Sequence, residues 1–279
     1  MLKRCDDTYI PRVVDYIGED KILCFYLYMD LLECGTQADG VGLWVCETCE
    51  ASEASETCEE ENGGLSAVMY RYYDCLHIYS RELCPLEDVL ALIGELDPKV
   101  ITGKQENIDR IAEALGKDRY TYELSHIITA DKLMDGKSDL TVQPAGEADV
   151  PEIAALMMKE HIYNTVYTYD NLCEALVRRI REGFGRLFVM RTEEGRLVAT
   201  NALSAESEEF AVINGLVTDP DMRGHGLGRA ITASTWNLVK NEGKRGLAFL
   251  GADNVNTLSL HRKMGYTFLG LYARLIRED

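Results

Sequence analysis

The sequence predicts a mixed α/β fold of the α+β type: a mostly antiparallel sheet flanked by helices, divided between two domains. Three observations carry this. A chain of 279 residues with 46% apolar positions is longer than the roughly 100–200 residues that one core usually organises. A polar stretch, Ala130–Ser138, separates two segments in each of which the pattern of strands and helices starts afresh, giving domains of 1–130 and 139–279. In the second segment, four strand or hairpin signals precede the first glycine-rich turn, so the chain builds an antiparallel meander and not a β-α-β start.

Element by element, the first segment opens with a short helix over Val13–Ile17. The apolar run Lys21–Glu33 follows, and its periodicity fits a helix or a strand. Gly42–Glu47 reads as a strand, and Glu47–Gly64, with seven Glu and a glycine pair, as a solvated loop or frayed helix. Leu65–Tyr72 and Cys75–Ser80 alternate as an antiparallel hairpin turning at Tyr73 and Asp74. Pro85–Leu96 is a helix with Leu90, Leu92, Ile93 and Leu96 on its apolar side. A strand at Lys99–Thr102, a helix at Glu106–Leu115 and a strand at Arg119–Thr129 complete the segment.

The second segment begins with a strand at Leu140–Pro144. Asp149 and Glu152 hold the N-cap and N3 positions of a capping box, with Pro151 in the first turn, so a helix runs to about Lys159. A second helix covers Asp170–Glu182. Leu187–Arg191 and Leu197–Ala205 form a hairpin around Glu193, Glu194 and Gly195, and Phe210–Thr218 is the next strand. A long helix over Leu227–Glu242 is closed by Gly243; a strand at Gly246–Gly251, a helix at Thr257–Met264 and a strand at Tyr266–Ile276 finish the chain.

Charge and cysteine divide unevenly. Residues 1–140 hold 13 Lys and Arg against 29 Asp and Glu, and no basic residue occurs between Ile22 and Tyr70. Such a surface repels phosphate backbones, so nucleic acid is not an expected partner. It could attract a cationic substrate, although a charge run is more often a solvated face. The longest apolar run, Ile22–Met29, is too short for a membrane span, and the N-terminus lacks the apolar core of a signal peptide. The expected setting is cytoplasmic, without membrane attachment. Of nine cysteines, eight precede residue 85 and Cys173 stands alone, an odd count that suits reduced thiols. Cys46, Cys49 and Cys58 raise the question of zinc, but no second Cys-x-x-Cys supplies the usual four ligands, and no metal is expected. Cys173 reads as a small buried residue.

The chemistry concentrates after Val217. A strand ends, Pro220 breaks it, and Gly224, Gly226 and Gly228 lead into a helix. Glycines allow a tight turn whose N–H groups converge, and the helix N-terminus adds about half a positive charge, which together make a cradle for a pyrophosphate. No Gly-Lys-Ser/Thr follows, so this is not a Walker loop, and the preceding meander argues against a dinucleotide-binding β-α-β unit. An ordinary turn before a helix is the competing reading. A second string, Asn254 and Asn256 followed by His261, Lys263, Gly265 and Tyr266, ends in a helix stopped by glycine.

Arg223-x-x-Gly226-x-Gly228 together with that string resembles the acetyl-CoA-binding signature of the GNAT superfamily of N-acetyltransferases, over roughly Leu140–Ile276. The resemblance implies a GNAT-type sheet and direct acetyl transfer in a ternary complex. It implies that the backbone of Leu216, Val217 and Thr218 pairs with the pantetheine arm, the Val217 N–H also supporting the oxyanion. It also implies that the amides of Arg223, Gly224, His225, Gly226, Leu227, Gly228 and Arg229 hold the pyrophosphate, and that Asn254 contacts the arm. The first segment, with a similar element order and no glycine-rich loop, looks like a degenerate GNAT domain in tandem, non-catalytic, with Gly103 and Lys104 near where a cofactor loop would lie.

Two departures bear on catalysis. The family's frequent acid, a Tyr, is replaced here by His261, which either donates its N–H to the departing thiolate or simply lines the cofactor. The position of the catalytic Glu in histone-type relatives falls on Phe210; Glu209 is the adjacent candidate base, though strand alternation aims it at the opposite face. Tyr163, Tyr167, Tyr169 and Asp170 are candidate acceptor-binding residues, Asp170 being equally readable as a helix N-cap. The sequence therefore predicts an acetyl-CoA-dependent acyltransferase acting on a small amine or amino-acid-like molecule. A protein N-terminal acetyltransferase and a non-catalytic acyl-CoA-binding regulatory module are the alternatives, and a homodimer is compatible with either.

Overall fold

The computed structural model describes residues 2–48, 64–164, 167–181, 183 and 185–278. The chain forms two compact units, Met1–His126 with Gly270–Asp279, and Ile127–Leu269. Among the described residues no helix is long and apolar enough to cross a membrane.

The first unit contains β1 (Leu2–Cys5), α1 (Ile10–Ile17), α2 (Phe25–Cys34), β2 (Val41–Glu47), β3 (Leu65–Tyr72), β4 (Cys75–Tyr79), α3 (Leu86–Leu96), β5 (Val100–Lys104), α4 (Gln105–Leu115) and the start of β6 (Tyr120–Thr129). The ambiguous apolar run resolves as α2. Phe25, Tyr28 and Leu31 recur at helical spacing and are buried, and Gly35 ends the helix by donating its N–H to the Leu31 carbonyl. The β3–β4 hairpin forms in the expected register, Tyr72 opposite Cys75. Strands β1 to β4 pair antiparallel in sequence order, and β4 pairs parallel with β5 across the α3 crossover. Trp44, Met69, Leu76, Ile78, Val89, Leu92, Ile108 and Ile111 pack one face of this sheet against α3 and α4.

The second unit repeats the order. It contains β7 (Val142–Ala145), α5 (Val150–Met157), α6 (His161–Asn164), α7 (Tyr169–Arg181), β8 (Arg186–Arg191), β9 (Leu197–Glu206), β10 (Phe210–Thr218), α8 (Leu227–Asn241), β11 (Arg245–Gly251), α9 (Val255–Met264) and the start of β12 (Thr267–Arg277). Neighbours run β11-β10-β9-β8-β7, antiparallel except for the β10–β11 pair. Two cores sandwich this sheet. One joins Ile153, Leu172 and Leu176 to Val189 and Val217; the other joins Ile231, Trp236 and Val239 to Ala211 and Ala248. The far part of β12, from Gly270 on, belongs to the first unit, where Tyr272–Ile276 pair antiparallel with β5.

Two local expectations are corrected. The capping box lies three residues earlier than expected: Gly146 is the N-cap of a short 3-10 turn, and its N–H donates to Asp149 Oδ2 at 2.9 Å. Glu152 instead joins Asp149 in binding the Arg191 guanidinium, so a cross-element ion pair takes the carboxylate that the box would have used. The polar stretch after Ala130 is fastened along α8. Met134 exchanges two hydrogen bonds with the Asn237 amide, and Arg229 Nε donates to the Asp135 carbonyl.

Candidate active site

The joint between β10 and α8 begins with a one-turn 3-10 helix, Pro220–Met222, capped by the Asp219 carboxylate, which accepts from the Asp221 N–H. Asp219 is buried, and burial alone would raise its pKa. Lys159 at 3.0 Å and Arg196 at 3.3 Å reverse this and hold it below the usual carboxylate range. The anchored turn delivers Gly224 and Gly226 at φ 84° and 79°, left-handed values that residues with side chains rarely adopt. Gly226 is the N-cap of α8 and supplies no side chain to cap it. The first-turn amides of α8 therefore face the hollow of the loop unclaimed by a capping group, at the positive end of a 15-residue helix. Gly228 lets that turn close on the strand: a Cβ there would stand 3.3 Å from Thr218 Oγ1.

Below the loop the sheet opens. β10 and β11 pair only through Phe210–Val212 and Arg245–Leu247. Past Val212, β10 carries two irregularities against β9, the second leaving Gly215 and Leu216 outside the ladder between Asn214 and Val217. The strands diverge into a cleft of about 910 Å³ that runs from Ile213 and Ala248 to the glycine loop. Its walls include Leu216, Val217, Thr218, Arg223, Gly224, Gly226, Leu227, Gly228 and Arg229, as well as Asn254, His261 and Tyr163. Most of the residues expected from sequence are thus brought together. His225 is not in the wall; its ring turns back to the loop carbonyls of Arg223 and Met222, leaving its backbone as the part the loop uses. Asn254 caps α9, its Oδ1 accepting from the Thr257 N–H at 3.1 Å.

His261 is 4% exposed and lies edge-on to the Tyr266 ring. Burial pushes its pKa below the ordinary value, only partly opposed by the Thr257 carbonyl 2.8 Å from Nδ1. A carbonyl can only accept, so Nδ1 carries the proton, and in the neutral ring Nε2 is bare. The ring N–H that an acid would offer to a departing thiolate is engaged by Thr257, and His261 lines the cleft wall, the second of the two expected places. Glu209 lies away from the cleft. It sits in the exposed turn before β10, beside the paired end of the strands, and is not in the cleft wall; the Arg245 N–H bonding to its carbonyl fixes it there.

On the acceptor side, Tyr163 reaches the cleft, while Tyr167, Tyr169 and Asp170 do not line it. Tyr169 donates to the Pro151 carbonyl at 3.2 Å. Asp170 is neither cap nor wall: Thr168 Oγ1 takes the cap position by accepting from the Asn171 N–H, and Asp170 occupies the first turn behind it. The sequence reading missed Glu160, among the described residues the only carboxylate in the wall, which is bonded to the Arg223 guanidinium. It also missed Lys263, although that residue lies inside the second quoted string. No group of three or more metal-ligating side chains occurs among the described residues. Cys49 and Cys58 lie outside them, and burial pushes the Cys46 thiol up to about 12, away from the thiolate a metal needs.

The family described as Acetyltransferase (GNAT) family matches residues 152–266, a span that contains the cleft and loop. No curated protein matches the chain. Among solved structures, a Drosophila protein superposes with a TM-score of 0.63 at 12% identity, over 99% of this chain and 98% of that one. A GNAT-family acetyltransferase from Colwellia psychrerythraea gives 0.57 at 13% identity with both chains fully covered. A tandem GNAT protein from the clavulanic acid biosynthesis pathway gives 0.56 at 12% identity, over 99% and 97%. At these identities the likeness is one of fold. The second unit therefore carries a GNAT acetyltransferase domain over residues 152–266, an acyltransferase domain, within a chain of GNAT-like fold.

Proposed function

We propose that the second unit transfers an acetyl group from acetyl-CoA to the primary amine of a small or amino-acid-like acceptor, by direct attack within a ternary complex. The observation that carries this is the union of an uncapped helix N-terminus behind two left-handed glycines with a strand pair that parts beside it. A diphosphate fits the first, because oriented amides and the helix dipole favour an anion there. An extended amide-bearing arm fits the second, because Leu216 stands outside the β9 ladder and lines the cleft. Acetyl-CoA would supply a carbonyl activated by a thiol leaving group. Backbone N–H groups of β10 would then stabilise the oxyanion, and Glu160 gives the wall a negative charge suited to an amine.

The first unit is proposed to be non-catalytic. Its strand-to-helix joint corresponding to the glycine loop is Ser80–Pro85, between β4 and α3, and not the expected Gly103 and Lys104, which lie on β5. There Asn107 Nδ2 donates to Ser80 Oγ at 2.8 Å, and the Cys84 N–H donates to Asn107 Oδ1 at 2.9 Å. Lys104 Nζ reaches the Ser80 and Arg81 carbonyls. The Cys84 N–H is thus bonded within the chain, and Glu87 and Asp88 place negative charge in the first turn of α3, where an anion would have to sit.

Incubating the full chain with acetyl-CoA and a panel of primary amines, with release of free thiol as the signal, tests the transfer. Amine-dependent thiol release is expected. Tight cofactor binding with no turnover across polyamines, amino acids and peptide N-termini would instead favour a binding module.

A further inference from the structure

We infer that Tyr163 is the hydrogen-bond donor that meets the sulfur as the thioester breaks, in place of His261. The inference rests on the acetyl-CoA reading above. Its basis is position. A pantetheine arm held at the glycine loop would run along β10 from Thr218 toward Ile213, carrying its sulfur past Gly215. Gly215 lies three residues or about 10 Å of strand before Thr218. The Tyr163 hydroxyl stands 3.9 Å from the point a Cβ on Gly215 would occupy, so the phenol overhangs the irregular stretch of β10 where the strand leaves its ladder.

Tyr163 is held by its main chain and by packing of its ring. The Tyr163 N–H donates to the Glu160 carbonyl at 3.0 Å, its carbonyl accepts from Tyr167 at 2.8 Å, and its ring packs on the core that contains Ala202 and Val217. The hydroxyl itself takes no hydrogen-bond partner from the described residues and opens on the cleft. Burial pushes it up to about 12, against the pull of Arg179, so it keeps its proton wherever a thiol ionises. Three other donors of the wall are committed. The His261 N–H is on Thr257, Arg223 is on Glu160, and Arg229 Nε is on Asp135, the two arginines lying at the loop end of the cleft.

The step balances without another reactant. The amine lone pair forms the C–N bond, the C–S bond breaks, and sulfur leaves with the electron pair. The Tyr163 O–H gives its proton to that sulfur and recovers the surplus proton of the new amide nitrogen, so phenol, free thiol and amide are the products.

Binding of coenzyme A and of desulfo-coenzyme A, measured by calorimetry between pH 6 and pH 10 on the full chain, tests this without an acceptor. A donor at the sulfur favours the thiolate, so wild type should prefer coenzyme A increasingly as pH rises, to about tenfold. Tyr163→Phe should lose that preference while binding the desulfo analogue as before, and His261→Phe should keep it. Incorporating 3-fluorotyrosine at 163, a stronger donor in a side chain of nearly the same shape, should enlarge it. Equal pH-dependent preference in wild type and Tyr163→Phe overturns the inference and leaves the acetyl-CoA reading standing. Failure of both probes to bind overturns that reading and the inference with it.

Discussion

Replacing Gly226 by Val tests the anion cradle most directly. Gly226 holds φ 79° at the N-cap of α8, and a Cβ built on it meets nothing within 4 Å. The substitution therefore clashes with no neighbour, and its cost to folding is backbone strain, about 1–2 kcal/mol for a branched residue in the left-handed region. That corresponds to a melting temperature lower by roughly 2–8 °C for a unit of this size. The larger effect falls on the ligand. Valine methyls would stand in the hollow that phosphate oxygens must enter to reach the amides of α8. Losing two charge-assisted hydrogen bonds, at about 1.5–3 kcal/mol each, lowers affinity by about a hundredfold or more.

Differential scanning calorimetry with acetyl-CoA reads both effects. At a hundred times the dissociation constant, wild type gains about 2.7 kcal/mol, a rise of about 5–11 °C; the variant at the same concentration gains about 0.4 kcal/mol, near 1 °C. Gly195 provides the control. It has φ 89° in the β8–β9 hairpin, an equally open Cβ position, and no place in the cleft wall. Gly195→Val should show the same strain and keep the full cofactor-induced rise. A Gly226→Val protein that still gains several degrees would mean the glycines only turn the chain, and the reasoning from amides to anion would fail.

His261→Phe should lower stability by about 1 kcal/mol, through loss of its bond to the Thr257 carbonyl, and leave kcat within about twofold; a hundredfold fall in kcat would restore the imidazole to the chemistry. In the first unit, burial of His77 opposes its charge, but Asp30 at 3.3 Å and the Cys75 thiol raise its pKa from 6.5 to about 9. A raised pKa stabilises the fold fully below about 6.5, and that stabilisation disappears as pH climbs through about 9. Urea unfolding should accordingly find wild type more stable than His77→Gln by a few kcal/mol at pH 6, with the gap closing by pH 10; a gap that does not change with pH would show His77 to be neutral.

Much of this arrangement is legible in the sequence because it is local. The bounds of β10, the β3–β4 hairpin at Tyr73 and the glycine loop follow from alternation and turn chemistry within a few residues. What escaped depends on distant partners or on broken periodicity. Irregularities at Val212 and Asn214 reset the alternation along β10, so no count back from Arg223 could say which residue faces the cleft. The tautomer of His261 is set by the Thr257 carbonyl one helical turn before it, within the helix that the sequence predicts, because burial turns the ring back onto its own helix. Glu152 could not be separated from a capping box until Arg191, on another strand, claimed it. Pairing of Tyr272–Ile276 with β5 joins residues more than 160 positions apart, a choice that no local pattern encodes.

The two units place the same joint, a strand handing over to a helix beside a parallel pair, under opposite constraints. At β10–α8 the chain withholds side chains at Gly224, Gly226 and Gly228, so the helix amides are left for a ligand. At β4–α3 it supplies Ser80, Cys84 and Pro85, and Asn107 from α4 closes on them with two buried hydrogen bonds. Removing the Asn107 amide alone would not recreate a cradle. Pro85, the N-cap of α3, lacks an N–H, and the loop before it has no glycine through which to turn its amides together. A shared element order therefore leaves function undecided; the two joints differ in the glycines that turn the chain at one, and in the acidic first turn and bonded Cys84 N–H at the other.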